Sequence, residues 1–336
     1  MSATSSTAFD AAAAPLLRVR GLRVEHAGHR PPLALVDGVD LALDAGETVC
    51  LVGESGCGKS LSALSLPGLL PAGLRRRSES LRWRGREIGA LDERALRRLR
   101  GAEIGVVFQE PMTSLNPVLR VATQIGEVLR EHRGLGRREA RARAEQLLAE
   151  VGVPAPGARL DSYPHELSGG LRQRVMIAMA LACDPALLIA DEPTTALDVS
   201  LQAQVLALLA GLRERRGLAL LFITHDLGVV AALGGRVMVM YAGQVVETGP
   251  AATLLAAPAH PYTRALLASL PRVDRRVAMA GIPGSVPPAG RAPAGCRFRD
   301  RCGLARPGCE RPQTLTPLDA EGSRSARCWL AAEGAP

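Results

Sequence analysis

The sequence predicts an α/β fold with a mainly parallel sheet, and three observations carry that expectation. Short, almost wholly apolar runs at 48–52, 186–190 and 218–223 alternate with longer helix-like segments, which is the pattern of βαβ units buried on both faces. The first run leads directly into Gly53-Glu54-Ser55-Gly56-Cys57-Gly58-Lys59-Ser60, which fits the phosphate-binding pattern G-x-x-x-x-G-K-[ST]. The second run ends in Asp191-Glu192, placing two carboxylates at the C-terminal edge of a strand, where open α/β sheets bind their ligands.

In chain order, residues 16–24 and 33–43 alternate apolar and polar side chains and are expected to be antiparallel strands. Residues 45–47 turn into the strand at 48–52, and 61–66 continue the phosphate loop as a helix. Residues 70–80 are expected to be loop-like, 81–84 and 86–88 short strands around Gly85, 93–100 a short helix, and 104–108 a buried strand ending at Gln109. The character then changes. Residues 121–132, 137–151 and 171–183 carry helical periodicity, so 111–183 is expected to be a helical insertion between two strands of the core. The α/β pattern returns with the strand at 186–190, a helix at 201–215, the strand at 218–223 that ends in Thr224-His225-Asp226, and a hairpin of 237–241 and 244–247. From Pro258 the chain is rich in Pro and Arg. An irregular C-terminal extension with one helix at 261–270 is expected there. Residues 1–14, rich in Ser, Thr and Ala, are expected to be a disordered tail. The predicted organisation is thus tail, core at 15–257 and extension at 258–336.

Composition bounds the function. An apolar content of 47% over 336 residues is ample for a core, and a net charge of +8 would suit nucleic acid, an anionic membrane surface or simply a solvated arginine surface. Aromatic residues are only 3%, a poor supply of stacking platforms for single-stranded nucleic acid. The N-terminal stretch lacks the basic start and apolar core of a signal peptide. The longest apolar run, 175–190, is broken by Asp184-Pro185 before it reaches spanning length. A soluble, cytosolic chain able to sit on a membrane protein is expected. Seven cysteines at this size do not suggest a secreted disulfide scaffold.

The chemistry of the loop follows from its residue types. Glycines let backbone N–H groups turn inward around a polyphosphate, and the following helix points its positive end at the same anion. Lys59, the only lysine in the chain, would reach the β- and γ-phosphates, because a compact ammonium fits a tight nest better than a planar guanidinium does. Ser60 would ligate Mg²⁺. Asp191 would hold the same ion, largely through water, and Glu192 would act as general base on the attacking water. Leu167-Ser168-Gly169-Gly170 alone is no more than a turn opening a helix.

Taken together, the order of these motifs resembles the ATP-binding cassette (ABC) ATPases over residues 16–257. That order is the phosphate loop, Gln109 after a strand, Leu167-Ser168-Gly169-Gly170, an apolar strand ending in Asp191-Glu192, and a strand ending in His225. The resemblance implies a P-loop NTPase core with an antiparallel β subdomain and an inserted helical subdomain. It implies that Ala196-Leu197-Asp198 is the D-loop, with Asp198 at the nucleotide site. It further implies that Gln109 senses Mg²⁺ or the water, that His225 contacts the γ-phosphate, and that Ser168, Gly169 and Gly170 bind the γ-phosphate of ATP held by a second subunit. The family usually places an aromatic residue on an early strand to stack on adenine. His26 stands there instead, so weak discrimination of ATP from GTP is expected.

Three further stretches, Gln109 to Pro117, His260 to Leu267 and Gly295 to Cys302, resemble the oligopeptide/dipeptide/nickel importer ATPases, nearer the dipeptide-type D subunit. That resemblance implies peptide import, a peripheral position on the cytoplasmic face of the inner membrane, a second homologous ATPase in a heterodimer, two transmembrane permeases and an extracytoplasmic solute-binding protein. A soluble ABC ATPase acting on DNA or ribosomes is the rival class. The chain shows neither the coiled-coil insertion nor the tandem cassette those proteins carry, so no nucleic-acid partner is expected. Cys296, Cys302, Cys309 and Cys328 are spaced C-x₅-C-x₆-C-x₁₈-C, unlike the short pairs of zinc ribbons. A [4Fe–4S] cluster, as the resemblance implies for some members, zinc, and free or redox-labile thiols all remain open.

Overall fold

A computed structural model describes residues 14–195, 197–269 and 281–332. The expected tail at 1–14 falls, apart from Ala14, outside the described residues, as does Ala196 of the expected D-loop.

Strands β1 (Leu17–His26) and β2 (Leu33–Leu43) pair antiparallel, Leu17 opposite Leu43, and bury one face each, as their alternation requires. β3 (Thr48–Val52) is buried at every position and delivers the chain to the phosphate loop and helix α1 (Lys59–Ser65). The stretch expected to be loop-like at 70–80 instead contains β4 (Leu74–Arg77), which pairs Arg75 with Glu25 and Leu74 with His26 on β1. Three consecutive arginines concealed it. Their backbone, not an apolar face, makes the pairing, and Arg77 also forms an ion pair with Glu25 at 3.0 Å. β5 (Ser80–Trp83) and β6 (Arg86–Glu87) complete this antiparallel sheet, in the order β2-β1-β5-β6 with β4 also on β1.

After α2 (Glu93–Leu99), capped by the Asp92 carboxylate on the Ala95 N–H, β7 (Ile104–Val107) enters the second sheet. The helical stretch follows: α3 (Pro111–Ser114), α4 (Val121–Arg133), α5 (Arg137–Glu150), α6 (Pro156–Arg159) and α7 (Gly169–Ala180). The last of these starts two residues before, and ends three before, the span that periodicity suggests. Ser168 takes the extended N-cap conformation, so the two glycines form the first turn rather than a separate loop. The remaining core elements are β8 (Leu187–Asp191), α8 (Val199–Arg216), β9 (Ala219–Thr224), α9 (Leu227–Leu233), β10 (Arg236–Tyr241), β11 (Gln244–Pro250) and α10 (Ala251–Ala256).

β10, β3, β9, β8 and β7 lie side by side and parallel. Alternate residues on each strand serve two cores. Val49, Leu51, Ile189, Leu221 and Met240 pack against the antiparallel sheet. Cys50, Val52, Leu188, Phe222 and Tyr241 pack against the helices. Burial on both faces explains why these strands read as continuous apolar runs.

The extension is less irregular than expected. α11 (Pro261–Ala268) buries Tyr262, Thr263 and Leu266. Two short strands, β12 (Thr316–Pro317) and β13 (Ser325–Ala326), add to the edge of the sheet on β11, before α12 (Trp329–Ala332). Two-residue strands are too short to leave a period-2 pattern to read. Among the described residues no helix is long and apolar enough to cross a membrane.

Candidate nucleotide site

The phosphate loop takes its shape from contacts that exclude side chains. A Cβ on Gly53 would lie 2.2 Å from the Met240 carbonyl oxygen, and Gly58, at φ 101°, caps α1 against Val36 and Leu35. Cys57 is buried beneath the loop, where burial pushes its thiol up to about 11, so it serves as a small core residue. Lys59 is only 4% exposed. Its Nζ donates to the carbonyls of Gly53 (2.8 Å) and Glu54 (3.1 Å) and lies 3.7 Å from Glu192 Oε1.

The strand edges bring the acids to it. The Ser60 hydroxyl donates to Asp191 Oδ1 at 2.7 Å. Burial raises the Asp191 carboxyl above the usual range, with the Ser60 bond acting the other way. Glu192, just past β8, has φ 44°, a left-handed conformation that costs a non-glycine residue about 1–2 kcal/mol. Its carboxylate is where the polar groups meet. Thr195 Oγ1 donates to Oε2 at 2.9 Å, His225 Nδ1 lies 3.2 Å from the same oxygen, and Gln109 Nε2 approaches it at 3.4 Å. His225 is half exposed at the end of β9, followed by the Asp226 cap of α9. One cavity of about 610 Å³ is lined by Glu54, Ser55, Gly56, Gly58, Lys59, Ser60, Gln109, Glu192, Thr195 and His225, with Leu61 and Leu266.

Other expected site residues stand apart from this cavity. Ser168 and Gly169 are exposed at the start of α7, and the Ser168 hydroxyl makes no capping hydrogen bond. Asp198 caps α8 through the Leu201 N–H (2.9 Å). The His26 ring packs edge-on against His29 (5.0 Å), and its Nδ1 accepts the Gly28 N–H. Glu54 lines the cavity but is otherwise engaged: its N–H donates to the Tyr262 hydroxyl at 2.9 Å and its carboxylate pairs with Arg301. Thr195, Leu266, Tyr262 and Arg301 are the site residues that sequence reasoning did not find. Only Thr195, three residues after Glu192, had a local signal.

The four C-terminal cysteines are gathered. The Cys296 N–H donates to the Cys309 carbonyl at 2.8 Å. Burial pushes the Cys296 thiol up to about 11, and the neighbouring Cys328, Cys309 and Cys302 add to the shift. Yet among the described residues no group of three or more His, Cys, Asp or Glu side chains is placed to hold a metal ion. Neither the [4Fe–4S] cluster nor the zinc that the sequence leaves open has a ready-made set of ligands among the described residues.

Comparison with known proteins adds to this geometry. Residues 36–195 match the family model described as ABC transporter, and residues 246–309 match the oligopeptide/dipeptide transporter C-terminal region. A Brucella melitensis protein provisionally named a peptide import ATP-binding protein is 48% identical over 334 residues, covering 93% of this chain and 97% of its own length. A Brucella abortus protein with the same kind of name is 48% identical over 316 residues, covering 94% and 95%. Among solved structures, the dimeric ABC transporter cassette MJ0796 matches with a TM-score of 0.62 at 28% identity, over 70% of this chain and 98% of that one. The cassette cbiO1 of Clostridium perfringens, part of the transporter complex cbiONQ, matches with 0.62 at 26% identity, over 72% and 91%.

Proposed function

Because this chain belongs to the ABC transporter family, we propose that it is the ATP-hydrolysing subunit of an importer of the di- and oligopeptide class. The observation that carries the reading is the convergence of Lys59, Gln109, Thr195 and His225 on the Glu192 carboxylate, beside the Ser60–Asp191 pair, in one cavity.

Each residue then has a task its position allows. Lys59, a buried ammonium now bonded to two loop carbonyls, holds the β- and γ-phosphates of ATP. Glu192 accepts the proton of the attacking water, and His225 and Gln109 hold that water and the developing phosphoryl charge. The buried Asp191 carboxylate and the Ser60 hydroxyl fit a divalent cation, which would offset the cost of burying that charge. Ser60, Asp191 and Gln109 would hold Mg²⁺, which would supply neutralisation of the phosphate charge.

The site closes on a second cassette. Ser168, Gly169 and Gly170 lie outside their own cavity with an unspent hydroxyl at a helix N-terminus, a donor set suited to the γ-phosphate of ATP on a partner. The partner is a homologous ATPase, giving a heterodimer in which Asp198 lies near the shared nucleotide. Two permeases would dock beside Gln109, where Phe108, Met112 and Val118 are exposed apolar side chains. On this reading the chain sits at the cytoplasmic face of the inner membrane, with a solute-binding protein beyond the permeases. His26 is the proposed adenine contact. For the cysteines, zinc would need four thiolates about 3.8 Å apart, given Zn–S bonds of about 2.3 Å. A [4Fe–4S] cluster on Cys296, Cys302, Cys309 and Cys328 rests on the family resemblance alone. Iron and sulfide assayed in anaerobically purified protein test it, and the absence of both removes it.

Purified chain should hydrolyse ATP in a Mg²⁺-dependent manner, and cells should lose peptide uptake when Lys59 is replaced by Ala. Undiminished uptake with Lys59→Ala would overturn the assignment.

A further inference from the structure

The contact between the C-terminal extension and the phosphate loop is not accounted for by the reactions above. Arg301 ends a short 3₁₀ turn (Arg299–Arg301) and reaches a loop residue 247 positions earlier. Its Nη1 donates to Glu54 Oε2 at 2.7 Å and its Nη2 to Oε1 at 3.0 Å, a two-pronged pair whose arginine side chain is only 7% exposed. The guanidinium is fixed from other sides as well. It lies over the rings of Tyr241 (5.7 Å) and Phe298 (5.9 Å), and Nε donates to the Pro283 carbonyl at 2.7 Å. Tyr262, also from the extension, takes the Glu54 N–H, and Leu266 on the same helix lines the cavity. Glu54 itself lines the cavity and follows Gly53, whose carbonyl binds Lys59.

A carboxylate in a phosphate nest is a liability, because ATP brings several negative charges to it. We propose that Arg301 is a positioning residue of the nucleotide site: it neutralises the Glu54 carboxylate and holds it aside, so that the extension governs how well the loop accepts ATP. Tyr262 fixes the backbone of the same residue. The hydrogen bonds to Glu54 and Tyr241 also keep Arg301 firmly charged, raising it above the ordinary arginine value. The extension is thereby a working part of the ATP site. This inference rests on the nucleotide reading of the loop, and the two fail differently. A wild-type chain that binds no ATP removes both, whereas a wild-type chain that binds ATP isolates Arg301.

The test is a titration of purified full-length chain with a fluorescent ATP analogue, together with steady-state hydrolysis, for Arg301→Ala, Glu54→Gln and the double variant. Arg301→Ala exposes an unpaired carboxylate and should weaken ATP binding about tenfold or more. The loss should fall in KM for ATP, with kcat at saturation changing less than about threefold. Adding Arg301→Ala to Glu54→Gln should cost less than about threefold further, because the charge that Arg301 masks is already gone. Arg301→Lys keeps the charge and should bind within about threefold of wild type, whereas Arg301→Met keeps only the apolar stem and should behave as Ala does. These two serve also if the Ala variant folds poorly. Unchanged binding in Arg301→Ala, a double variant as far below Glu54→Gln as Arg301→Ala is below wild type, or Met outperforming Lys would each overturn the proposal.

Discussion

Replacing Glu192 by Gln separates chemistry from binding in this site. The amide keeps the size of the side chain and can still accept from Thr195, but it loses the charge that faces Lys59 at 3.7 Å and the basicity needed to take a proton from water. Loss of a general base costs about 10²–10⁴-fold in rate, or about 3–5 kcal/mol of barrier. Binding should move the other way. At an effective dielectric constant of about 20, the Lys59–Glu192 attraction is at most about 4 kcal/mol before desolvation is counted. Releasing Lys59 from that pair leaves its ammonium freer for phosphate, and a carboxylate that repels the γ-phosphate is gone. The expected result is single-turnover phosphate release slowed at least about 100-fold, with ATP affinity equal to or tighter than wild type. Hydrolysis within about threefold of wild type would show that another group is the base. Loss of binding together with hydrolysis would show that Glu192 is structural.

Further predictions follow from the loop and the extension. Gly53→Ala forces a Cβ to within 2.2 Å of the Met240 carbonyl, so the loop must distort. Thermal melts should show destabilisation of about 2 kcal/mol or more, and ATP titration should show lost affinity. His260 is fully buried, its backbone N–H donating to Glu247 at 2.9 Å and its Nδ1 accepting the Tyr262 N–H, and burial lowers its imidazole to about 3. An unfolded histidine titrates near 6.5, so the unfolded state binds the extra proton first. The stability that His260 contributes is therefore complete above about pH 6.5 and is lost as pH falls toward 3. Between pH 7 and pH 5 that loss is about 2 kcal/mol. Urea midpoints of wild type and His260→Gln at the two pH values read it, and equal pH slopes would contradict it.

The parts of the fold that were legible are those whose physics is local. β3, β8 and β9 are short apolar runs because both faces are covered, and they lead into the phosphate loop, Asp191-Glu192 and His225 respectively. β4 was hidden because its pairing is made by backbone while its side chains are arginines. The start of α7 was hidden because glycines read as a turn, although after the extended Ser168 they form the first turn of the helix. Arg301 and Tyr262 were illegible for a different reason. They meet Glu54 across 247 and 208 residues, and no periodicity or motif records a contact of that range. The cysteines illustrate the converse. The family resemblance leaves a metal site on them open, but a resemblance does not specify whether four thiols converge.

In the proposed dimer one chain's phosphate loop is completed by another chain's Ser168, and a single substitution tests it. Ser168→Arg places a bulky cation at the exposed N-cap of α7, away from its own cavity. In the Glu192→Gln background, ATP titration of the isolated chain and its ATP-dependent association with a second cassette are measured side by side. The expected result is ATP affinity unchanged within about twofold and association abolished. Association that persists, or ATP binding by the isolated chain that is lost with it, would contradict the shared site.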